Sequence, residues 1–409
     1  MRIAVSLLLN RCAFFAIAAL GYLLAIIPRR RRYIVFLGHQ GHYNGNAKYL
    51  FEAYLKEAED GLEPIFVARN HADISEPLTQ AHILHLRSSS SYFSFIAFLW
   101  KAKIMFVTTP GYDWKSRHLF AWRAKTILLS NGIPLKAPGQ IAKHFGALKK
   151  QKYLSYWKDI DQLWVSSTFE RYLASASLSV PIEKIKVNGA ARQSQLSETA
   201  TRQNRETARD KINAVLGQEY VGKRLVLLAL TQRAYQEGNK ATALDSLSKL
   251  DGYERSELVQ FLEENNIGLI VRDHFLTNGQ HEHELNSHCA YMGANVLPEL
   301  NDVIAGIDVI LTDYSGLYLD FVGQDIPIGL LRFPGDNFLE QRGLILPDEF
   351  LTAGMGVSTQ EALFSLIKNT KIEADTRARR DMLQRLFFEV EPEACLQNNL
   401  SELRALIEG

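Results

Sequence analysis

The chain has 409 residues, 47% hydrophobic and 22% charged, which is ordinary globular composition and length enough for two domains. A formal net charge of +1 excludes a nucleic-acid binder working through a bulk basic field. Cys12, Cys289 and Cys395 are too scattered for a disulfide framework or a metal site, so a reducing compartment fits.

In chain order, the first feature is an apolar run from Ile3 to Ile27, broken only by Asn10 and Arg11 and followed by Arg29 to Arg32. About 20 apolar residues can cross a bilayer. The positive cluster follows the run and no A-x-A site precedes it, which argues against a signal peptide. Residues 1–32 are therefore expected to associate with a membrane, either spanning it with the arginines cytoplasmic or lying in the interface against anionic lipid. A buried first helix of a soluble domain is the alternative.

Tyr33–Leu37 reads as a strand, Gly38-His-Gln-Gly41 as its turn, and Asn46–Lys56 as a helix with Tyr49, Leu50, Ala53 and Tyr54 on one face. Strands are expected at Leu62–Ala68, Ile104–Val107, Thr126–Leu129 and Gln162–Val165, with helical stretches between. This alternation predicts a parallel α/β sheet over residues 33–200. Residues 201–220, polar and without apolar runs, read as a linker or exposed helix. The pattern then repeats over 221–380, with strands at Leu225–Leu230, Gly268–Val271, Val309–Leu311 and Ile328–Leu331 and a helix at Leu258–Glu264. Residues 381–409 are expected to form a C-terminal helix.

Chemistry-bearing residues gather after the second set of strands. Thr231-Gln-Arg233 follows one strand, Arg272-Asp-His274 the next and Thr312-Asp-Tyr-Ser315 a third, while Gly189-Ala-Ala-Arg192 follows the strand-like Ile185–Val187. Ligands of open α/β sheets bind outside these strand ends. Guanidinium forks, hydroxyls and backbone amides are what a diphosphate needs. A strand, then Asp313-Tyr-Ser-Gly316, then a helix start is a phosphate-binding geometry, with Ser315 as donor and Gly316 allowing close approach. Each feature has a plainer counterpart: Asp313 or Ser315 as an ordinary N-cap, Arg233 as a helix cap, His274 as a structural histidine.

Other groupings read as structural. His281-Glu-His-Glu284 with His288 and Cys289 lies in a polar loop, and i, i+2 histidines do not share a helix face. Gly38–Gly41 lacks the third glycine of a dinucleotide fingerprint and is expected to shape the acceptor side of a cleft. Lys143 to Lys152 reads as a solvated helix face, or a contact for anionic lipid or a polyphosphate acceptor.

Over nearly its whole length the sequence resembles the CDP-glycerol glycerophosphotransferase family, GT-B-like enzymes that build teichoic acids and related polyol-phosphate polymers. Gly41-His-Tyr-Asn-Gly-Asn-Ala-Lys-Tyr-Leu50 looks like the family's membrane-proximal entry, and Asn131-Gly-Ile-Pro-Leu-Lys136 its W-H-G-T-P-L-K motif. Gly189–Arg192 is similar to G-x-P-R, Leu230–Arg233 to P-T-W-R, Arg272–His274 to R-P-H, and Thr312–Asp320 to T-D-Y-S-S-x-x-x-D. Gln341–Gly343 and Gly354–Val357 resemble its C-terminal region.

The resemblance implies two Rossmann-like domains in GT-B arrangement. It also implies attack by an acceptor hydroxyl on the β-phosphorus of a CDP-polyol, with release of CMP. Arg192, Arg233, Arg272, His274, Ser315 and the amides near Gly316 would hold the diphosphate. Thr312 and Asp313 would support that turn, and Asp320 would fix it from the helix. Gly41, Asn46 and Lys136 would face the acceptor. The acceptor would be a lipid-linked or polymeric polyol phosphate or saccharide of the cell envelope or capsule, reached from the cytoplasmic face of the membrane. Neither metal nor cofactor nor nucleic acid is implied. One position departs: Asn131 stands where the family has a histidine, and an amide cannot take a proton. Three readings follow: Asn131 orients the acceptor hydroxyl by hydrogen bonding with Asp113 or His118 as the base, the acceptor differs, or the chain is a weakened or inactive relative. A UDP-sugar glycosyltransferase or epimerase of the same architecture, and a catalytically silent membrane-bound scaffold, are the alternatives.

Overall fold

Buried apolar runs become the strands of two all-parallel sheets in the computed structural model of the chain. It describes residues 32–57, 61–68, 81–86, 89–108, 124–130, 132, 134–157, 160–231, 243–272, 287–293, 296–369 and 371–409. The expected membrane segment lies outside these, apart from Arg32, which reaches Glu63 at 3.4 Å. Among the described residues no helix is long and apolar enough to cross a membrane.

The first sheet comprises β1 (Tyr33–Leu37), β2 (Glu63–Ala68), β3 (Ile83–His85), β4 (Ala102–Val107), β5 (Lys125–Leu129), β6 (Gln162–Val165) and β7 (Ile185–Val187), in the order β3-β2-β1-β4-β5-β6-β7. The second comprises β8 (Arg224–Leu228), β9 (Ile267–Val271), β10 (Cys289–Tyr291), β11 (Val309–Thr312), β12 (Ile328–Leu331) and β13 (Met355–Val357), ordered β10-β9-β8-β11-β12-β13. Helices cover the faces: α1 (Gly45–Glu57), α2 (Ser89–Trp100), α3 (Ala147–Ser155), α4 (Thr168–Leu178), α5 (Glu198–Leu216), α6 (Arg255–Glu264), α7 (Leu317–Phe321), α8 (Phe338–Arg342), α9 (Gln360–Lys368), α10 (Ala374–Phe387) and α11 (Pro392–Glu408). Parallel strands need helical crossovers, so both faces are buried and the strands read as continuous apolar runs. Ile34, Val35 and Phe36, at 0% exposure, show it.

Strand order reverses between β1 and β4 in one sheet and between β8 and β11 in the other. At such switch points the connections leave in opposite directions and open a crevice at the carboxyl ends of the strands. The turn after β1 and the turns after β8 and β11 stand at those two crevices.

Two helices tie sequence-distant parts together. On α11, Leu400, Leu403 and Leu406 pack among Ile34, Phe36, Phe106 and Trp164 on the first sheet. Its Asn399 amide donates to the carbonyl of Gly189 at 2.9 Å, bracing the turn that carries Arg192. Residues 201–220 fall largely in α5, whose Ala208 and Ile212 are fully buried against the second sheet. Asp308 clamps α5 to that sheet, accepting from Arg205 at 2.6 Å, from Arg209, and from the Leu225 amide at 2.7 Å.

Burial pushes the Asp308 carboxyl up, but the Leu225 amide and the two guanidiniums outweigh it and hold it below its ordinary 3.8. A depressed carboxylate contributes stability above its unfolded pKa and loses it as pH falls through the folded value. Asp308→Asn is therefore expected to destabilise the protein by about 2 kcal/mol at pH 7. The gap to wild type should close below pH 4 in urea titrations. An equal gap at pH 7 and pH 3 would contradict the clamp.

Candidate active site

The turn after β11 is stitched to the turn after β8. Thr312 Oγ1 donates to the Ala229 carbonyl at 2.6 Å, and the Thr231 amide donates to Asp313 Oδ1 at 2.7 Å. Both acceptors are buried, so the two strand ends hold a fixed relative position. Thr231 Oγ1 is buried and has no hydrogen-bond partner among the described residues. Ser315 and Gly316 stand half-buried at the head of α7. That helix has five residues, so its dipole adds little. An anion at this turn would meet hydroxyls and backbone amides rather than a helix dipole.

Lys136 reaches this turn from the first half. The loop carrying it is pinned across the interface by the Lys136–Leu344 bridge, Ala137 N–H to Gly343 O at 3.0 Å and Ile345 N–H to Leu135 O at 3.0 Å. Burial lowers the Lys136 ammonium to about 8; Asp313 opposes that shift and Arg342 adds to it. Lys136 was expected on the acceptor side, and its charged neighbours are Asp313 and Arg342 of the second half.

Arg192 is held rather than open. Its Nη2 pairs with Asp320 Oδ1 at 3.0 Å, and both side chains are almost wholly buried. Burial pushes the Asp320 carboxyl up while Arg192 pulls it down. Asp320 thus fixes Arg192 across the interface, where the sequence suggested that it fixes the turn. Gly132, at φ +109°, lies against this guanidinium; a Cβ there would collide with Arg192 Nη2. The glycine of the Asn131–Lys136 motif is needed for both reasons. Asn46, on the first turn of α1, accepts from the Arg192 amide at 2.9 Å and donates to the Ser130 carbonyl. Gly41, at φ +83°, closes the turn after β1.

Arg272 gives Nη1 to the carbonyls of Met292 at 3.1 Å and Leu297 at 2.9 Å. Burial lowers its pKa, with Glu299 and Tyr291 opposing. Arg272→Ala would orphan two carbonyls as well as remove charge. It is expected to cost about 1–3 kcal/mol of stability in addition to donor affinity. Thermal melts beside donor titrations test this, and an unchanged melting temperature would refute it.

Three acidic residues were missed by sequence reasoning. Glu299 accepts from the Gly45 amide at the start of α1 and lies near Lys48, Arg192 and Arg272. Asp302 accepts from Lys48 at 2.6 Å and Tyr49 at 2.7 Å. Glu170, 4% exposed, accepts from Ser130 Oγ at 2.6 Å and the Ser166 amide at 2.8 Å. Each bonds across a long sequence separation, so spacing gives no sign of it; only Ser167-x-x-Glu170 has a local signature, that of a capping box.

Asp113, His118, Asn131, Arg233 and His274 lie outside the described residues, as do His281 and His283. His288 Nδ1 lies 3.0 Å from the Ile267 carbonyl, and Cys289 begins β10, so that end of the expected polar loop is sheet.

The family model for CDP-glycerol:poly(glycerophosphate) glycerophosphotransferase matches residues 22–395. Among solved structures, an alanine variant of the wall teichoic acid polymerase TagF gives a TM-score of 0.72 at 17% identity, covering 100% of this chain and 97% of that one. A histidine-to-asparagine variant of TagF soaked with CDPG gives 0.71 at 18%, covering 93% and 90%. A further TagF structure gives 0.71 at 15%, covering 98% and 96%. At such identities these likenesses speak to the fold. No curated protein matches the chain. The match over residues 22–395 decides the family: the chain belongs to the CDP-glycerol:poly(glycerophosphate) glycerophosphotransferases.

Proposed function

We propose that the chain transfers a polyol phosphate, glycerophosphate in the first instance, from a CDP-polyol to an acceptor hydroxyl during cell-envelope polymer synthesis. One observation carries the reading. The turn built from the ends of β8 and β11 offers the Thr231 hydroxyl and the Ser315–Gly316 segment, and Lys136 adds a cation from the other half. Phosphoryl-type transfer needs chiefly such positioning and charge neutralisation. Arg233, which follows β8 in sequence, and His274, which follows β9, complete the donor site in this reading. Arg192 acts mainly by holding the two halves in register, and Arg272 by bracing the Met292 and Leu297 carbonyls of its own half.

Residues 33–200 form the acceptor-side domain and 221–380 the nucleotide-side domain, in GT-B arrangement. Residues 1–32 attach the protein to the cytoplasmic face of a membrane, where a lipid-linked or polymeric acceptor is presented. Incubating the purified chain with CDP-glycerol, CDP-ribitol and UDP-sugars, and measuring nucleotide release, tests the reading. CMP release from a CDP-polyol is expected. Release of UDP alone, or of nothing, would overturn it.

A further inference from the structure

A cavity of about 270 Å³ opens at the carboxyl ends of β1, β4 and β5, bounded by Ser130, Gly132, Trp157 and Glu170, with His39 and Thr108 among its other polar lining. Several observations make it more than a packing gap. The Trp157 indole N–H is buried and has no partner among the described residues. Glu170 sits where a capping-box glutamate would close on its own N-cap, yet its carboxylate turns to Ser166 N–H and the Ser130 hydroxyl. Ser130 is half-buried while Glu170 is 4% exposed, so Ser130 is the accessible end of the pair. The cavity also borders Gly132, and Gly132 lies on Arg192, which pairs with Asp320 of the nucleotide-side half. Through Gly132 and Arg192 it therefore adjoins the seam between the two halves.

We propose that this cavity receives the hydroxyl-bearing end of the acceptor and that Glu170 takes the acceptor's proton through Ser130. The acceptor O–H gives its proton to Ser130 Oγ as Ser130 passes its own to the Glu170 carboxylate. The acceptor oxygen bonds to the β-phosphorus, the bond from that phosphorus to the bridging oxygen breaks, and CMP leaves with the electron pair. Glu170 is a positioning residue acting through Ser130, and the pair does the work for which Asn131 has no basic group. The proposal rests on the glycerophosphotransferase reading above. Burial raises the Glu170 carboxyl, making it a stronger base than a solvated glutamate, while Ser130, Ser166 and Arg192 limit the rise. The other titratable groups around it are His39, which burial and His42 lower to about 4, and Tyr153, which burial raises. His39 is shifted down and Tyr153 up, so neither changes charge near neutrality, and the assignment of an acid limb rests on its loss when Glu170 is substituted.

The test is CMP release by the full-length chain from CDP-glycerol, with a synthetic lipid-linked glycerol phosphate as acceptor, across pH 4.5–9. Glu170→Gln is expected to lower kcat by about 100-fold, within the usual range for general-base catalysis, with KM for CDP-glycerol unchanged. The rising acid limb of the wild type should vanish in Glu170→Gln and return in part in Glu170→Asp. Ser130→Ala keeps the bond from Glu170 to Ser166 and should lose at least about tenfold in kcat; it decides the matter alone if Glu170→Gln does not fold. Wild-type rates in both variants, or an acid limb that survives in them and disappears in His39→Ala, would overturn the proposal while leaving the transferase reading intact. A wild-type chain that releases no CMP would overturn both.

Discussion

Replacing Asp320 with alanine is expected to destabilise the protein by about 3–5 kcal/mol, the usual consequence of stranding one partner of a buried ion pair. Arg192 lies beneath Gly132, its side chain 13% exposed, and its neutralising contact is Asp320 Oδ1 at 3.0 Å. The guanidinium cannot shed its charge in the accessible pH range, so it cannot escape the penalty by deprotonating. Glu299 and Glu170 also act on it electrostatically and should hold the loss toward the lower end of the range. Asp320→Asn should be milder, keeping an acceptor without a charge. An Arg192→Met/Asp320→Leu double variant should recover most of the stability, because apolar packing replaces a pair whose desolvation cost roughly cancels its attraction. The same variant should lose activity, since the contact fixes how the two halves meet. Urea unfolding followed by tryptophan fluorescence supplies the stabilities. A loss under about 1 kcal/mol for Asp320→Ala would show that Arg192 finds water or another carboxylate instead.

That pair also marks where sequence reading stopped. The α/β alternation was legible because fully buried parallel strands are written as unbroken apolar runs, as in Ile34–Leu37 and Ile127–Leu129. Three-residue strands at or near sheet edges, β3, β10 and β13, were not, because three residues carry no period and edges need fewer apolar side chains. The turn after β11 was legible from a strand followed by Thr312-Asp-Tyr-Ser-Gly316. What the residues do there was less so. Arginine at a strand end suggested a phosphate ligand, yet Arg192 is committed to Asp320, 128 positions away, and Arg272 to two carbonyls. Partners this distant are chosen by the tertiary fold. The same holds for Glu299, a polar residue before Leu300 in the sequence and, in the fold, the carboxylate at the start of α1. Composition signals which strand ends carry polar groups; burial decides which of those groups are left for a ligand.

In the proposed donor site, Lys136 is the cation whose surroundings give a definite pH signature. An ammonium lowered to about 8 is charged below that pH and neutral above it, so its attraction for a diphosphate should fade as pH rises through 8. An ordinary lysine, at 10.5, would show no such change below pH 10. We expect KM for CDP-glycerol to be flat from pH 6.5 to 7.5 and to climb between about 7.5 and 9, the inflection following the lysine. Lys136→Met should lower kcat/KM at pH 7 by about 10–100-fold, the size of one charge-assisted contact to a buried phosphate, and remove the inflection. The sign for stability is the reverse. The fold favours the neutral amine, since the folded pKa lies below the unfolded one, so deleting the charge should not lower the melting temperature. Lys136→Arg retains charge throughout and should show no inflection near 8, at a kcat/KM between those of wild type and Lys136→Met. If KM is flat to pH 10 in the wild type and Lys136→Met binds donor as well as the parent does, the lysine does not touch the diphosphate. The Leu135–Ala137 segment would then serve only to join the two halves through Gly343 and Ile345.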